Sequence, residues 1–258
     1  MNLIMVTLSM HYFYGVKNNL FKSELQIPTF VNRKFFINND FILCKCSINN
    51  NEWKFVKTDK NKIKNKFYIV KDEEFSNEEF FFLIKEKDFD RLSVNKLEDF
   101  EKFPIRANLK IYINNGGFSS YQSEYPYGMV TRKGNITCSV SSLANTEAEN
   151  NFILFRNIFH IPIKEKFKAY LVDIKSNTKI REFDMYTNTT NILEIDKDHI
   201  KPDIYFVSDN YLGIPSFVSI KNGHISFEHT HPPHAYILNP KKFYLVNKIK
   251  NKFNEIIN

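Results

Sequence analysis

The chain has 258 residues, 43% hydrophobic and 25% charged, the balance of a soluble globular protein long enough to bury a sizeable core. Its net charge of +7 is spread along the chain, and the lysine-dense stretches KTDKNKIKNK (57–66) and NPKKFYLVNKIKNK (239–252) do not interleave aromatics with arginine, so nucleic acid is not expected as a partner. No run reaches the roughly 18 apolar residues of a membrane span, and Cys44, Cys46 and Cys138 form no CxxC pair or framework, which is the usage of a reduced, cytoplasmic protein.

The opening MNLIMVTLSMHYFYGV has no Lys or Arg at its start and carries Thr7, Ser9 and His11, so it reads as a buried strand rather than a secretion signal. Strand patterns follow at KFFI (34–37), FILCKCSI (41–48), EWKFV (52–56), KFYIV (66–70) and EFFFLI (79–84), with a hairpin expected through NNN between the second and third. Cys44 and Cys46 then share a face. At LSVNKLEDFEKF (92–103) the character changes: Leu97, Phe100 and Phe103 recur at threes, Ser93 is a candidate N-cap and Pro104 a stop. A short helix is expected there, with a domain boundary beside it. The chain is accordingly divided into a β-rich region, 1–103, and a β-sandwich-like domain, 104–258.

In the second region FKAYLVDI (167–174) and KIREFDMY (179–186) flank the turn SNT and make the clearest hairpin in the sequence. NFILFRNIF (151–159), TNILEI (190–195), DIYFVS (203–208), PSFVSI (215–220) and HISFEH (224–229) add further short strands without helices between them. That order predicts an all-β fold, mainly an antiparallel sandwich or barrel. The chain closes on an amphipathic helix, with Asn239 as N-cap, Pro240 at the first position and Val246, Ile249, Phe253 and Ile256 on one face. It is expected to pack on the sandwich or close one of its ends; a partner-binding helix is the alternative.

Four of the seven histidines fall within GHISFEHTHPPHAYIL (223–238). On a strand His229 and His231 point together above Phe227, while His224 and Glu228 point the other way. Pro232 and Pro233 end the strand, and His234 follows the break. A His-x-His on one strand brings two ring nitrogens within about 2.1 Å of one divalent ion, so His229, His231 and His234 are candidate ligands for Zn, Fe or Mn. Gly223 to His231 resembles the opening of the first cupin motif: a Gly, five residues, then His-x-His. The Glu that follows in that family is missing here, its place taken by two prolines and His234, and the family is not assigned.

NNGGFSSYQSEYPYGMVTRKGN (114–135) reads as a long glycine-containing loop. Tyr121, Tyr125 and Tyr127 are candidate substrate-binding walls, and Glu124 is a candidate acid/base beside the weaker Glu228. Two functions follow. One is a metal-dependent enzyme acting through the His-x-His site on a small polar substrate, a sugar or amino-acid derivative. The other is a non-catalytic binding or assembly module for carbohydrate or protein.

Overall fold

The structure, a computed structural model, describes residues 10–31, 35–36, 41–59, 63–98, 105–114, 116–229 and 238–258. The chain is mostly antiparallel β-sheet with a C-terminal helix, as its alternation predicts. It divides into two units, each assembled from separated segments: Met1–Tyr112, Ser120–Thr131 and Ile158–Ile163 in one, Ile113–Ser119, Arg132–Asn157 and Lys164–Asn258 in the other. The boundary expected near residue 104 falls within 99–104, outside the described residues.

The first unit contains strands β1 (Met10–Tyr12), β2 (Lys22–Pro28), β3 (Phe30–Val31), β4 (Phe35–Phe36), β5 (Phe41–Asn49), β6 (Glu52–Lys57), β7 (Ile63–Lys64), β8 (Phe67–Lys71), β9 (Phe80–Lys85), β10 (Ala107–Tyr112), β11 (Phe118–Ser123, which begins in the second unit) and β12 (Tyr125–Pro126). One sheet runs β11-β10-β2-β8-β7 and another β6-β5-β9; β1 pairs with β12, and β3 with β4. The two larger sheets pack apolar faces together: Leu25, Ile27, Tyr68, Val70 and Ala107 meet Leu43 and Phe81, with Phe13 and Phe75 in the same cluster.

The NNN hairpin forms with Asn49 opposite Glu52, so Asn50 and Asn51 alone make the turn, at φ of 52° and 60°. Positive φ at both central residues is the two-residue hairpin turn that matches strand twist, and asparagine tolerates it because its short amide bonds locally. Cys44 and Cys46 on β5 do share a buried face.

The helix expected over 92–103 is corrected over its described part. Residues 92–98 are irregular; the short helical segments nearest in the chain lie at Glu86–Arg91, a 3₁₀ turn, and at α1 (Tyr127–Val130). The cause is long-range pairing. Leu97 N–H donates to His160 O at 2.8 Å and Trp53 N–H to Val94 O at 2.7 Å, which tie this stretch to segments distant in the chain. Ser93 Oγ accepts from Asn95 N at 3.4 Å, two residues on, as in a local turn.

The second unit is a sandwich of two four-stranded antiparallel sheets. Its strands are β13 (Thr137–Ser139), β14 (Asn150–Arg156), β15 (Lys166–Asp173), β16 (Thr178–Tyr186), β17 (Thr190–Glu194), β18 (Ile204–Ser208), β19 (Ile214–Lys221) and β20 (His224–His229). The orders are β13-β18-β15-β16 and β17-β14-β19-β20. Phe155 on β14 meets Phe167 on β15 at 6.1 Å and Phe206 on β18 at 5.7 Å between ring centroids, so these rings fill the space between the sheets.

Helix α2 (Lys242–Ile257) lies on the outer face of the first of these sheets. Phe253 packs with Tyr170, Val172 and Val207, which explains why β15 is apolar on both faces: one serves the sandwich, the other receives the helix. Two details differ from expectation. The helix starts at Lys242 because Asn239 closes a turn instead, its Oδ1 accepting from Lys241 N at 2.7 Å and its carbonyl from Lys242 N at 2.9 Å. Ile249 is exposed, whereas Val246 and Phe253, close to two whole turns apart, are buried. No helix among the described residues is long and apolar enough to cross a membrane.

Candidate functional site

The histidine strand is positioned by a hairpin. Asn222 (φ 50°) and Gly223 (φ 75°) turn β19 into β20, setting Lys221 opposite His224 and Ser216 opposite His229. Along β20, His224, Ser226 and Glu228 are exposed, Ile225 and Phe227 are buried, and His229 is half-buried on the Phe227 side, with Nδ1 shielded from solvent. Glu228 projects from the opposite face. His231 and His234 lie outside the described residues, and among the described residues no three His, Cys, Asp or Glu side chains gather as a metal site.

The stretch 114–135 is not one loop. It contains β11, β12 and α1. Its front does lie along the histidine strand: Gly117 N–H donates to Gly223 O at 2.9 Å, and Phe227 N–H to Ser119 Oγ at 3.2 Å. A Cβ on Gly116 would stand 2.3 Å from Gly223 O, so a side chain there is excluded. The remainder, from Ser120 to Thr131, belongs to the other unit and carries Tyr121, Glu124, Tyr125 and Tyr127. Tyr125 is fully buried, Tyr121 and Tyr127 are half-buried, and the Tyr127 ring meets Tyr12 at 6.5 Å.

Glu124 has an unusual environment. Its side chain is 6% exposed, Arg106 Nε stands 3.7 Å from Oε1, and that oxygen accepts no hydrogen bond. Burial pushes the carboxyl up to about 7, and the Arg106 guanidinium opposes this only partly, because Arg106 is 62% exposed and its Nη1 is engaged with Gln122 Oε1 at 2.7 Å. Such a carboxyl exchanges its proton near neutrality, as a general acid or base must.

The third feature is one that sequence reasoning missed. A cleft of about 780 Å³ runs along the solvent side of α2 to the β15–β16 turn, lined by Asn177, Tyr244, Asn247, Asn251, Lys252 and Glu255 among others. Lys252 Nζ bonds Ile174 O at 3.3 Å and Lys179 Nζ bonds Ile257 O at 3.4 Å, tying the end of the helix to the hairpin. Asn135 also holds the helix, through Asn254 Oδ1 at 2.8 Å and Lys250 Nζ at 2.8 Å. The sequence shows these asparagines and lysines only as a wet helix face. Their convergence with Asn177 depends on where the hairpin tip comes to rest.

Compared with protein-family models, curated proteins and solved structures, the chain matches none of them.

Proposed function

We propose that the chain is a non-catalytic binding module whose ligand is a carbohydrate, held in the cleft along α2. The observation that carries this reading is the lining of the cleft. The amides of Asn177, Asn247 and Asn251 each offer donors and an acceptor, which suits vicinal hydroxyls that both give and take hydrogen bonds. Tyr244, 66% exposed, presents a flat ring with a hydroxyl at its edge. Glu255 and Lys252 supply charged partners of either sign. The three cysteines, all buried thiols, support a reducing, cytoplasmic setting for this role.

The test is a glycan array probed with the full chain, followed by titration calorimetry of any retained glycan. Binding is expected to fall at least tenfold in Tyr244→Ala/Asn247→Ala, whose side chains are exposed and whose loss leaves the fold intact. An array with no glycan above background, or binding untouched by the double variant, overturns the reading.

A metal-dependent enzyme acting on a small polar substrate is the second reading, favoured by the inward turn of His229 at the end of β20. His229, His231 and His234 would hold Zn, Fe or Mn, and Glu228, on the same strand, is the acid or base that this unit itself offers. Metal content decides it, measured on tag-free protein beside His229→Ala/His231→Ala. Near-stoichiometric metal that the variant loses supports this reading; no metal in either protein ends it.

A further inference from the structure

Glu124 occupies the corner where β11 gives way to β12, between two residues that fix the backbone on either side. Ser123 is fully buried, and its hydroxyl accepts from Tyr14 N at 2.8 Å and donates to Tyr14 O. Tyr125, also fully buried, is paired with Tyr12 across the β1–β12 ladder. The corner is therefore tied to β1 and the residues just after it through two attachments, with a nine-tenths buried carboxyl between them. A buried carboxylate with an oxygen that accepts no hydrogen bond is costly to keep ionised. Its one nearby cation among the described residues, Arg106, stands on the solvent side. Among the described side chains of β1, β11, β12 and α1 the titratable ones are the phenols Tyr12, Tyr121, Tyr125 and Tyr127; β1 also carries His11.

We propose that Glu124 is a proton-operated latch on this corner: protonated, it leaves the Ser123–Tyr14 clamp and the β1–β12 pairing closed; ionised, it is drawn out toward Arg106 and water, and both attachments loosen. The inference stands apart from the carbohydrate cleft, which lies in the other unit and does not involve Glu124. The reverse arrangement, a carboxylate that closes the corner when charged, would need donors on Oε1 that are absent among the described residues.

The size of the effect follows from proton linkage. Between pH 6 and pH 8 the opening equilibrium of the corner is expected to rise about tenfold, for a carboxyl that titrates at about 7 when closed and at its ordinary value of 4.5 when open. Amide hydrogen exchange on the full chain reads this directly, after correction for the intrinsic pH dependence of exchange, in peptides covering 10–14 and 118–127. The wild-type protein should lose about tenfold in protection there across that range. Glu124→Gln, neutral and nearly isosteric, should show no change in protection between pH 6 and pH 8 and should be better protected there than the wild type. Arg106→Gln removes the cation from an exposed position and should move the midpoint to higher pH. Protection in the wild type that ignores pH, or that changes equally in Glu124→Gln, overturns the latch. Should Glu124→Gln not fold, a midpoint unmoved by Arg106→Gln overturns it equally.

Discussion

Glu124 and the two described cysteine thiols with shifted pKa values respond to burial in different ways. Cys44 and Cys138 are pushed up to about 12, so they stay protonated and inert at any physiological pH. Glu124 moves to about 7, and its charge therefore changes where cells operate. The consequence for stability has a definite sign. A carboxyl whose folded value lies above its unfolded value binds more protons when folded, so its stabilising contribution is complete below about 4.5 and is lost as pH rises through about 7. Glu124→Gln is expected to flatten that part of the stability profile and to be the more stable protein at pH 8. The gain should be on the order of 3 kcal/mol, read from urea unfolding at pH 5, 6.5 and 8. A profile that keeps its slope in the variant would place the titration elsewhere. The sequence singles out this glutamate only by its place in the tyrosine-rich stretch; its shift is set by what packs over it.

The elements show where local pattern suffices and where it does not. Hairpins were legible: the NNN turn closes on Asn50 and Asn51, and the SNT turn joins β15 to β16. The C-terminal helix was legible as well, but its buried line was not, since a helix with apolar residues over a wide arc can dock along more than one of them. Here Val246 and Phe253 took the contact and Ile249 stayed 51% exposed. Phe253→Ala is accordingly expected to cost about 3 kcal/mol, while Ile249→Ala should change stability by about 0.5 kcal/mol or less, both measured by denaturant midpoint. Equal costs would mean that the helix sits on a different face. The 92–98 segment taught the opposite lesson. The spacing of Leu97, Phe100 and Phe103 suited a helix over 92–103, yet in the described part Leu97 N–H and the Val94 carbonyl are bound to His160 and Trp53, distant in sequence. Local propensity yields when long-range partners satisfy the same groups.

At the scale of the molecule, the chain passes between its two units after Tyr112, Ser119, Thr131, Asn157 and Ile163. The first unit therefore cannot be completed by the first hundred residues. His160, from Ile158–Ile163, accepts hydrogen bonds from Leu97 N at 2.8 Å and Trp53 Nε1 at 3.0 Å, and its own N–H donates to Val130 O at 3.0 Å. A polypeptide ending at Tyr112 lacks all of these groups, along with β12 and α1. It is expected to show no near-ultraviolet circular dichroism from Trp53 and no cooperative thermal transition, whereas the whole chain shows both. A cooperative transition in the fragment would mean that these later segments are dispensable to the unit.

The sequence by itself determined the all-β class, the sites of the tight turns, the succession of short strands from 150 onward and the presence of one amphipathic helix at the end. Each of these follows from periodicity and turn chemistry within a few residues, and short-range rules read such signals directly. Tertiary structure alone decided that the stretch 114–135 is divided between two units, that the front of it lies beside the histidine strand while Glu124 does not share that unit, and that the cleft opens along α2. Those outcomes depend on which segments meet across a hundred residues of chain. A carboxyl's burial, a helix's docked line and a cleft's lining are properties of such meetings, and no local pattern encodes them.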